Sequence, residues 1–438
     1  MNSSLPAQSF DWRLEWRWLL ALSFLLLLPT KNLWSISVLV IAVLGLIQLV
    51  RGHIPFRGDE GRPNRTVALV FAALWLPMLF SLPTAVALDH SASTTAQYAR
   101  FFFFGLGMIW LLSDPRCRRR LTIATCVVAA AWAVDALFQA LVGFNFLGYE
   151  LNPLRLQGIF HPRLRLGVAS ACLVPLWFEG WRLIAVRAEN RLVIPLAFLA
   201  ALALPAVVLL SGSRSAWLML GAAIALYSAW LVFLAYRAGR IRITVVVIGL
   251  MMGAVVATAV SNEGFRSRFA VSLELFSGDF ERADKATAYR LSIWKPALAM
   301  FSENPITGIG PRGYRHAFEQ YAEADNFWLL REERGATHPH HQWLEIASET
   351  GIVGIVGLLI LLFTIVRLSL LYLRENDSVA LMWALSLALV WLPTNVHSAM
   401  YGSYWASTGW WTVSIAAVFL LPRKPGTTTG DHSHRTLN

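Results

Sequence analysis

Runs of apolar residues recur along this chain from end to end, and they restrict its fold more than any other feature. They fall at about residues 17–30, 33–50, 66–88, 97–112, 121–143, 166–181, 191–210, 214–236, 242–260, 345–372, 379–396 and 403–421. The hydrocarbon core of a bilayer needs roughly 20 apolar residues per helical crossing. The chain therefore reads as an all-α polytopic membrane protein with about 12 transmembrane helices. Only 14% of its residues are charged, against 56% hydrophobic, whereas a soluble domain carries about a quarter charged. Pro29, Pro77, Pro175, Pro195 and Pro205 lie within the runs. They do not argue against helix, because spanning helices find other partners for the backbone groups that proline frees.

Arginine sets the orientation. With the N-terminus in the cytoplasm, the connections on that side hold Arg51, Arg57, Arg62 and Arg65, then Arg116, Arg118, Arg119 and Arg120. Arg182, Arg187, Arg191, Arg237, Arg240, Arg242, Arg367 and Arg374 follow on the same side. The short connections on the other side hold Lys31, Arg100, Arg155, Arg163, Arg165 and Arg214. This is the positive-inside asymmetry, and it accounts for most of the net charge of +11. Charge scattered over helix ends builds no single cationic face, so membrane lipids are the expected partners and nucleic acid is not.

The same orientation divides the chain into spans one to nine over 1–260, a helical loop on the outer side over 261–344, spans ten to twelve over 345–421, and a tail over 422–438. The tail is Thr- and Gly-rich and is expected to be disordered and cytoplasmic, with His432 and His434 incidental. The first run follows Trp12, Arg13, Glu15 and Arg17 without a small-residue cleavage pattern, so an uncleaved anchor is expected. Cys117, Cys126 and Cys172 provide no disulfide framework. Within the loop, residues 279–302 have helical periodicity that puts Arg290, Trp294 and Leu298 on one face. Asn304 to Pro311 breaks that helix with turn residues, and a second helical piece is expected over about 313–333.

The outer ends collect arginine without matching carboxylates, which points to an anion. Ser211-Gly212-Ser213-Arg214-Ser215 joins two spans in a few residues. Small hydroxyl residues cap a helix N-terminus, that end attracts anions, and Arg214 adds a planar, permanently charged donor. An arginine anchored among lipid headgroups is the competing reading. Arg290 reads either as an anion ligand or as a partner for Asp284 or Glu281. Arg163 and Arg165, before the sixth span, read as membrane-end anchors or as further anion ligands.

Thr337-His338-Pro339-His340-His341-Gln342-Trp343-Leu344-Glu345 brings three histidines and a carboxylate to the end of the loop. Pro339 suits the first turn of a helix, which would place His338 at the helix mouth with Thr337 as a cap. The positive helix end disfavours a second proton there, leaving a neutral imidazole suited to general-base work. His341 and Glu345 stand four apart, so Glu345 is positioned to orient a histidine. A Zn²⁺ site from His338, His340, His341 and Glu345 is the alternative, and its spacing matches no strong zinc signature. Histidines at a membrane boundary without catalytic work are the third reading.

The SGSRSAWL segment, the R-x-x-x-W helix followed by NPITGIGPRGY, and the THPHHQWLE motif occur in this order among the apolar runs. In that combination the chain resembles the O-antigen ligase and polymerase superfamily, and most closely its O-antigen ligases. The resemblance implies a GT-C-type glycosyltransferase of the bacterial inner membrane with its active site facing the periplasm. It implies an inverting, metal-independent transfer of O-antigen polysaccharide from undecaprenyl diphosphate to lipid A–core, with no cofactor. By motif, His338 matches the catalytic histidine, while Arg214 and Arg290 match arginines that hold the diphosphate. Arg163 and Arg165 are added as diphosphate ligands, with His340, His341, Glu345 and Trp294 in support. Trp294, Trp328, Tyr314 and Tyr321 read chiefly as packing within the loop, with stacking on sugar faces as their second role. An O-antigen polymerase and a protein O-oligosaccharyltransferase share the pattern. A 12-span transporter is disfavoured by the missing resemblance between the halves.

Overall fold

The computed structural model describes residues 11–152, 155–239, 241–261, 263–331, 335–393 and 399–422. The tail residues 423–438, with His432 and His434, lie outside them. The described residues are helical and contain no named strand, with only isolated bridges such as that between Phe144 and Glu150. The first half contains α1 (Trp12–Leu27), α2 (Trp34–Val50), α3 (Arg62–Phe80), α4 (Leu88–Tyr98), α5 (Arg100–Leu111), α6 (Pro115–Val142) and α7 (Leu166–Arg187). There follow α8 (Val193–Ala201), α9 (Ala203–Leu210), α10 (Arg214–Arg237) and α11 (Ile241–Ser261). The loop holds α12 (Glu263–Leu273), α13 (Phe280–Ala286), α14 (Leu291–Glu303), α15 (Tyr314–Tyr321) and α16 (Phe327–Arg331). The chain closes with α17 (Gln342–Arg374), α18 (Ser378–Val390) and α19 (Ser403–Val418).

Each apolar run contains helix among the described residues, but not every helix is long enough to cross a bilayer unaided. Among the described residues six stretches pass by length and composition: Arg62–Thr84, Pro115–Val142, Leu166–Arg187, Val193–Leu210, Arg214–Arg237 and Gln342–Arg374. A seventh is a pair bent by 91°, Ile248–Ser261 with Glu263–Phe276. The structure thus describes a polytopic membrane protein with six or seven such segments, short of the twelve expected. At 1.5 Å per residue α18, with 13 residues, is about 20 Å long, against a hydrocarbon thickness near 30 Å. α18 and α19 are buried on nearly all sides, the pattern of helices enclosed by other helices rather than by lipid.

Small residues set the closest helix approaches, as membrane helices without a hydrophobic drive between them require. A Cβ on Gly45 of α2 would lie 2.0 Å from the Phe103 carbonyl oxygen, and one on Gly357 of α17 would lie 1.8 Å from that of Ala73 in α3. Trp383, Trp410, Trp411, Phe24 and Phe101 fill the centre of the bundle.

The loop has its own small core of Ile293, Ala297, Met300, Ile309, Tyr314, Ala317, Phe318 and Ala336. Two expectations for it change. Residues 279–302 form two helices, because Ala288 and Tyr289 take φ of 61° and 59° and turn the chain between α13 and α14. Of the second expected helical piece, the described residues up to 331 likewise divide into α15 and α16. The turn at Asn304–Pro311 does more than end a helix. α17 breaks at Gly351 (φ 64°, ψ −157°), and the turn docks into the break: Ile309 N–H donates to Ser348 O at 3.1 Å, and Ile352 N–H to Pro305 O at 2.8 Å. A Cβ on Gly351 would meet the Ile306 carbonyl oxygen at 2.3 Å, so this position needs glycine for both its φ and its space.

Candidate active site

Three segments distant in sequence meet where the loop joins the bundle. The first is the Ser211–Ser215 turn between α9 and α10. Ser213 is the N-cap of α10, its Oγ accepting the Ala216 N–H at 3.4 Å. Arg214 is thereby set at the first helical position, and its Nη1 donates to the Ala286 carbonyl. Arg268 of α12 donates to the Gly212 carbonyl at 3.0 Å, which ties the turn to the loop.

Arg290 comes from the left-handed turn before α14 and is largely buried. The acid expected as its alternative partner is engaged elsewhere: Asp284 Oδ1 accepts the Ser292 N–H at 3.1 Å, and Oδ2 accepts its hydroxyl. Burial, followed by repulsion from Arg214 and Arg155, holds the Arg290 guanidinium down to about 10. Arg155 is lowered too, by burial first and then by Arg268 and Arg214. Its Nη1 is buried without a hydrogen-bond partner among the described residues. No salt bridge among the described residues joins Arg155, Arg214 or Arg290 to a carboxylate. These cations crowd together in a partly dehydrated place, where each unit pair at 4 Å is worth about 4 kcal/mol at an effective dielectric of 20.

Arg163 and Arg165 do not join this cluster. Arg165 precedes α7 and lays its guanidinium 3.6 Å over the Tyr404 ring, and its charged neighbour is Arg163. Both stand beside the site, since α7 packs on the turn through Gly167, where a Cβ would lie 2.1 Å from Ser211 Oγ. Sequence reasoning counted Arg155 only as an outer-end charge and did not single out Arg268. The surplus of outer arginines was the available signal, but spacing does not say which of them converge.

The histidine loop abuts the arginines. The Trp294 indole donates to the Pro339 carbonyl at 3.0 Å, and its ring meets His341 edge-on at 5.4 Å. His338 is 9% exposed, its Nδ1 3.1 Å from Thr337 Oγ1 and its ring 4.0 Å from that of His340. His340, at φ 51°, also packs against Trp328 at 5.9 Å. The expected helix start is corrected. α17 begins at Gln342 and its N-cap is His341, whose Nδ1 accepts the Leu344 N–H at 3.2 Å. Pro339 and His338 therefore lie outside the first turn, in a loop shaped by Trp294 and His340. The helix-end argument passes to His341, which burial and then Arg290 hold below the usual imidazole range.

Glu345 does not orient a histidine. It is 1% exposed, and its oxygens accept the Met400 and Tyr401 N–H groups at 2.8 and 3.3 Å. Glu349 likewise accepts from Arg312 N–H at 2.6 Å and Tyr314 N–H at 3.3 Å. Both carboxylates pin neighbouring loops to α17. Among the described residues no three His, Cys, Asp or Glu side chains form a metal-holding group. The other aromatics serve packing: the Trp328 indole donates to Tyr289 O at 2.7 Å, Tyr314 OH to Ile293 O at 2.7 Å, and Tyr321 OH to Glu303 at 2.7 Å.

Residues 196–359 match the family model described as O-Antigen ligase. A relative from Rhizobium meliloti (strain 1021), the exopolysaccharide production protein ExoQ, is 24% identical over 177 residues. That similarity covers 36% of this chain and 40% of the relative's length. The matched segment holds Arg214, Arg268, Arg290 and the whole histidine loop, leaving only Arg155 of the cluster outside it, so over this segment the chain is similar to the O-antigen ligase family.

Proposed function

We propose that this protein is an inverting, metal-independent glycosyltransferase that moves O-antigen polysaccharide from undecaprenyl diphosphate onto lipid A–core at the periplasmic face of the inner membrane. The observation that carries the reading is the meeting of Arg155, Arg214 and Arg290, without a carboxylate salt bridge among the described residues, with the histidine loop through His341 and Trp294. In this reading the twelve apolar stretches cross the membrane, α8–α9 as a broken unit and α17 as a kinked one, in a GT-C arrangement. The helices over 263–331 form a periplasmic cap on them.

A hydroxyl of the core sugar attacks the anomeric carbon of the donor. The new C–O bond forms on one face as the bond to the diphosphate oxygen breaks on the other, and the configuration inverts. The hydroxyl proton passes to His338. Thr337 Oγ1, 3.1 Å from Nδ1, accepts the Nδ1 proton and leaves the Nε2 lone pair for the acceptor. His341 is unsuited to that step because its Nδ1 lone pair caps α17. The diphosphate leaves as an anion on Arg214, Arg290 and Arg155, which supply the electrostatic stabilisation that a metal ion often provides. Such a leaving group needs no acid carboxylate, and Glu345 and Glu349 are occupied with backbone N–H groups.

A His338→Ala strain is expected to accumulate undecaprenyl-linked polysaccharide while its lipid A–core stays bare, and normal ligation would remove His338 as the base. The exopolysaccharide relative favours a second reading, a polymerase whose acceptor is another lipid-linked repeat. Lipopolysaccharide gels of a deletion strain separate the two: bare core for a ligase, core with one repeat for a polymerase. Purified protein given both lipid substrates with chelator present should still form product.

A further inference from the structure

At the opposite end of the bundle is a second cationic site that the transfer reaction does not use. α3 and α17 lie side by side. The C-terminal end of α3 reaches the loop turn, where Thr84 Oγ1 donates to Gly308 O at 3.0 Å, and its N-terminal turn faces the far part of α17. There Arg62, Arg65 and Thr66 of α3 and Thr364 and Arg367 of α17 line a cleft of about 160 Å³. Arg367 is 16 residues beyond the Gly351 break, roughly 24 Å along the helix.

Three arginines share this one cleft. Arg65 is held in place by bonds to Phe56 O at 2.6 Å and Gly58 O at 3.0 Å. The guanidinium groups of Arg62 and Arg367 make no ion pair among the described residues. Both threonine hydroxyls already donate to their own helices, to Arg62 O and Ile360 O, so the arginines supply the charge and the donors. Arg62 is also the first residue of α3, and its guanidinium is joined there by the positive end of the helix. The rest of the wall is apolar: Leu69, Leu368, Leu371 and Leu420 line the same cleft, and Leu69 is 48% exposed on the outer face of a helix apolar enough to span. A free phosphate would gain nothing from that leucine wall, whereas a lipid phosphate would lay its acyl chains along it.

We propose that this cleft binds the phosphate of an anionic phospholipid, such as phosphatidylglycerol, in the leaflet opposite the histidine loop. The proposal is independent of the transfer reaction and requires only that α3 and α17 cross the membrane. Full-length protein in phosphatidylcholine nanodiscs, titrated with phosphatidylglycerol, should show a saturable rise in melting temperature. Removing one juxtamembrane arginine weakens such binding about fivefold, and removing two weakens it on the order of twenty-five-fold. R62Q and R367Q should show the first effect and the double variant the second. Arg367 is exposed and makes no internal bond among the described residues, so R367Q tests the site without disturbing the fold. R374Q, an exposed change at the end of the same helix, should titrate like the wild type. A wild-type titration in the double variant would overturn the proposal. So would equal weakening in R374Q, or the same rise from inorganic phosphate in pure phosphatidylcholine.

Discussion

Replacing Arg290 by glutamine should stabilise the ligand-free protein while slowing transfer by orders of magnitude. Its guanidinium is lowered well below the usual arginine range, to about 10, by burial first and then by Arg214 and Arg155. At 1.36 kcal/mol per pKa unit this corresponds to about 3 kcal/mol spent in keeping it charged. Glutamine removes the charge but buries an amide that recovers only part of its hydration, at a cost of about 1–2 kcal/mol. The remainder, about 1–2 kcal/mol, should appear as a rise of a few degrees in melting temperature. The ligand-bound state responds in the opposite sense. Loss of one contact to a diphosphate removes on the order of 4 kcal/mol at 4 Å and an effective dielectric of 20, and a factor of about 10²–10³ in rate is expected. The assay compares the melting of wild type and R290Q with and without inorganic pyrophosphate, beside transfer from the lipid-linked donor. Pyrophosphate should raise the wild-type melting temperature and leave that of the variant nearly unchanged. A variant that melts lower than wild type, yet keeps its response to pyrophosphate, would show that Arg290 is held by partners rather than repelled, and the cluster argument would fail.

Arg155→Gln should lower transfer by about ten- to a hundredfold with little change in melting, because its Nη1 has no internal bond to lose; an unchanged rate would remove Arg155 from the site. His341→Asn keeps a capping side chain but removes a titrating group whose folded pKa is depressed. In the wild type the unfolded imidazole gains a proton below about pH 6.5 while the buried one resists it, so stability falls as pH drops from there. Melting curves from pH 7.5 to 5 should lose that part of the slope in the variant, and parallel curves would refute the assignment. Glu345→Ala leaves the Met400 and Tyr401 N–H groups without their acceptor, at about 1–3 kcal/mol each. Thermal unfolding and protease sensitivity should both reveal it, and a near-neutral change would mean that the segment is held by something else. Gly351→Ala forces a Cβ to 2.3 Å from Ile306 O at a left-handed φ, so poor folding yield is expected, with wild-type yield as the refuting result.

Much of the helical content was legible in advance because apolar runs of bilayer length have one backbone solution in lipid. The site was legible in its residue types and less so in its geometry. THPHHQWLE and SGSRS were recognisable as motifs, but Pro339 suggested a helix start that tertiary contacts moved to Gln342. The Trp294 bond to Pro339 O and the left-handed His340 hold that stretch as a loop. Periodicity likewise joined 279–302 into one helix, because the turn at Ala288–Tyr289 depends on Asp284 capping Ser292, a contact that helical spacing does not reveal.

The sequence by itself determined that this chain is a bundle of apolar helices, which segment carries the family match, and that arginines without acids gather at the outer helix ends. These properties follow from composition and period, which are local. Only the tertiary structure decided which arginines meet: Arg155 with Arg214 and Arg290, and Arg165 turned instead onto Tyr404. It also decided that Glu345 and Glu349 hold backbone rather than histidine. The physical reason is the same in each case. A long charged side chain reaches several ångströms from its own helix, and its partner is set by which helix packs there rather than by its neighbours in sequence.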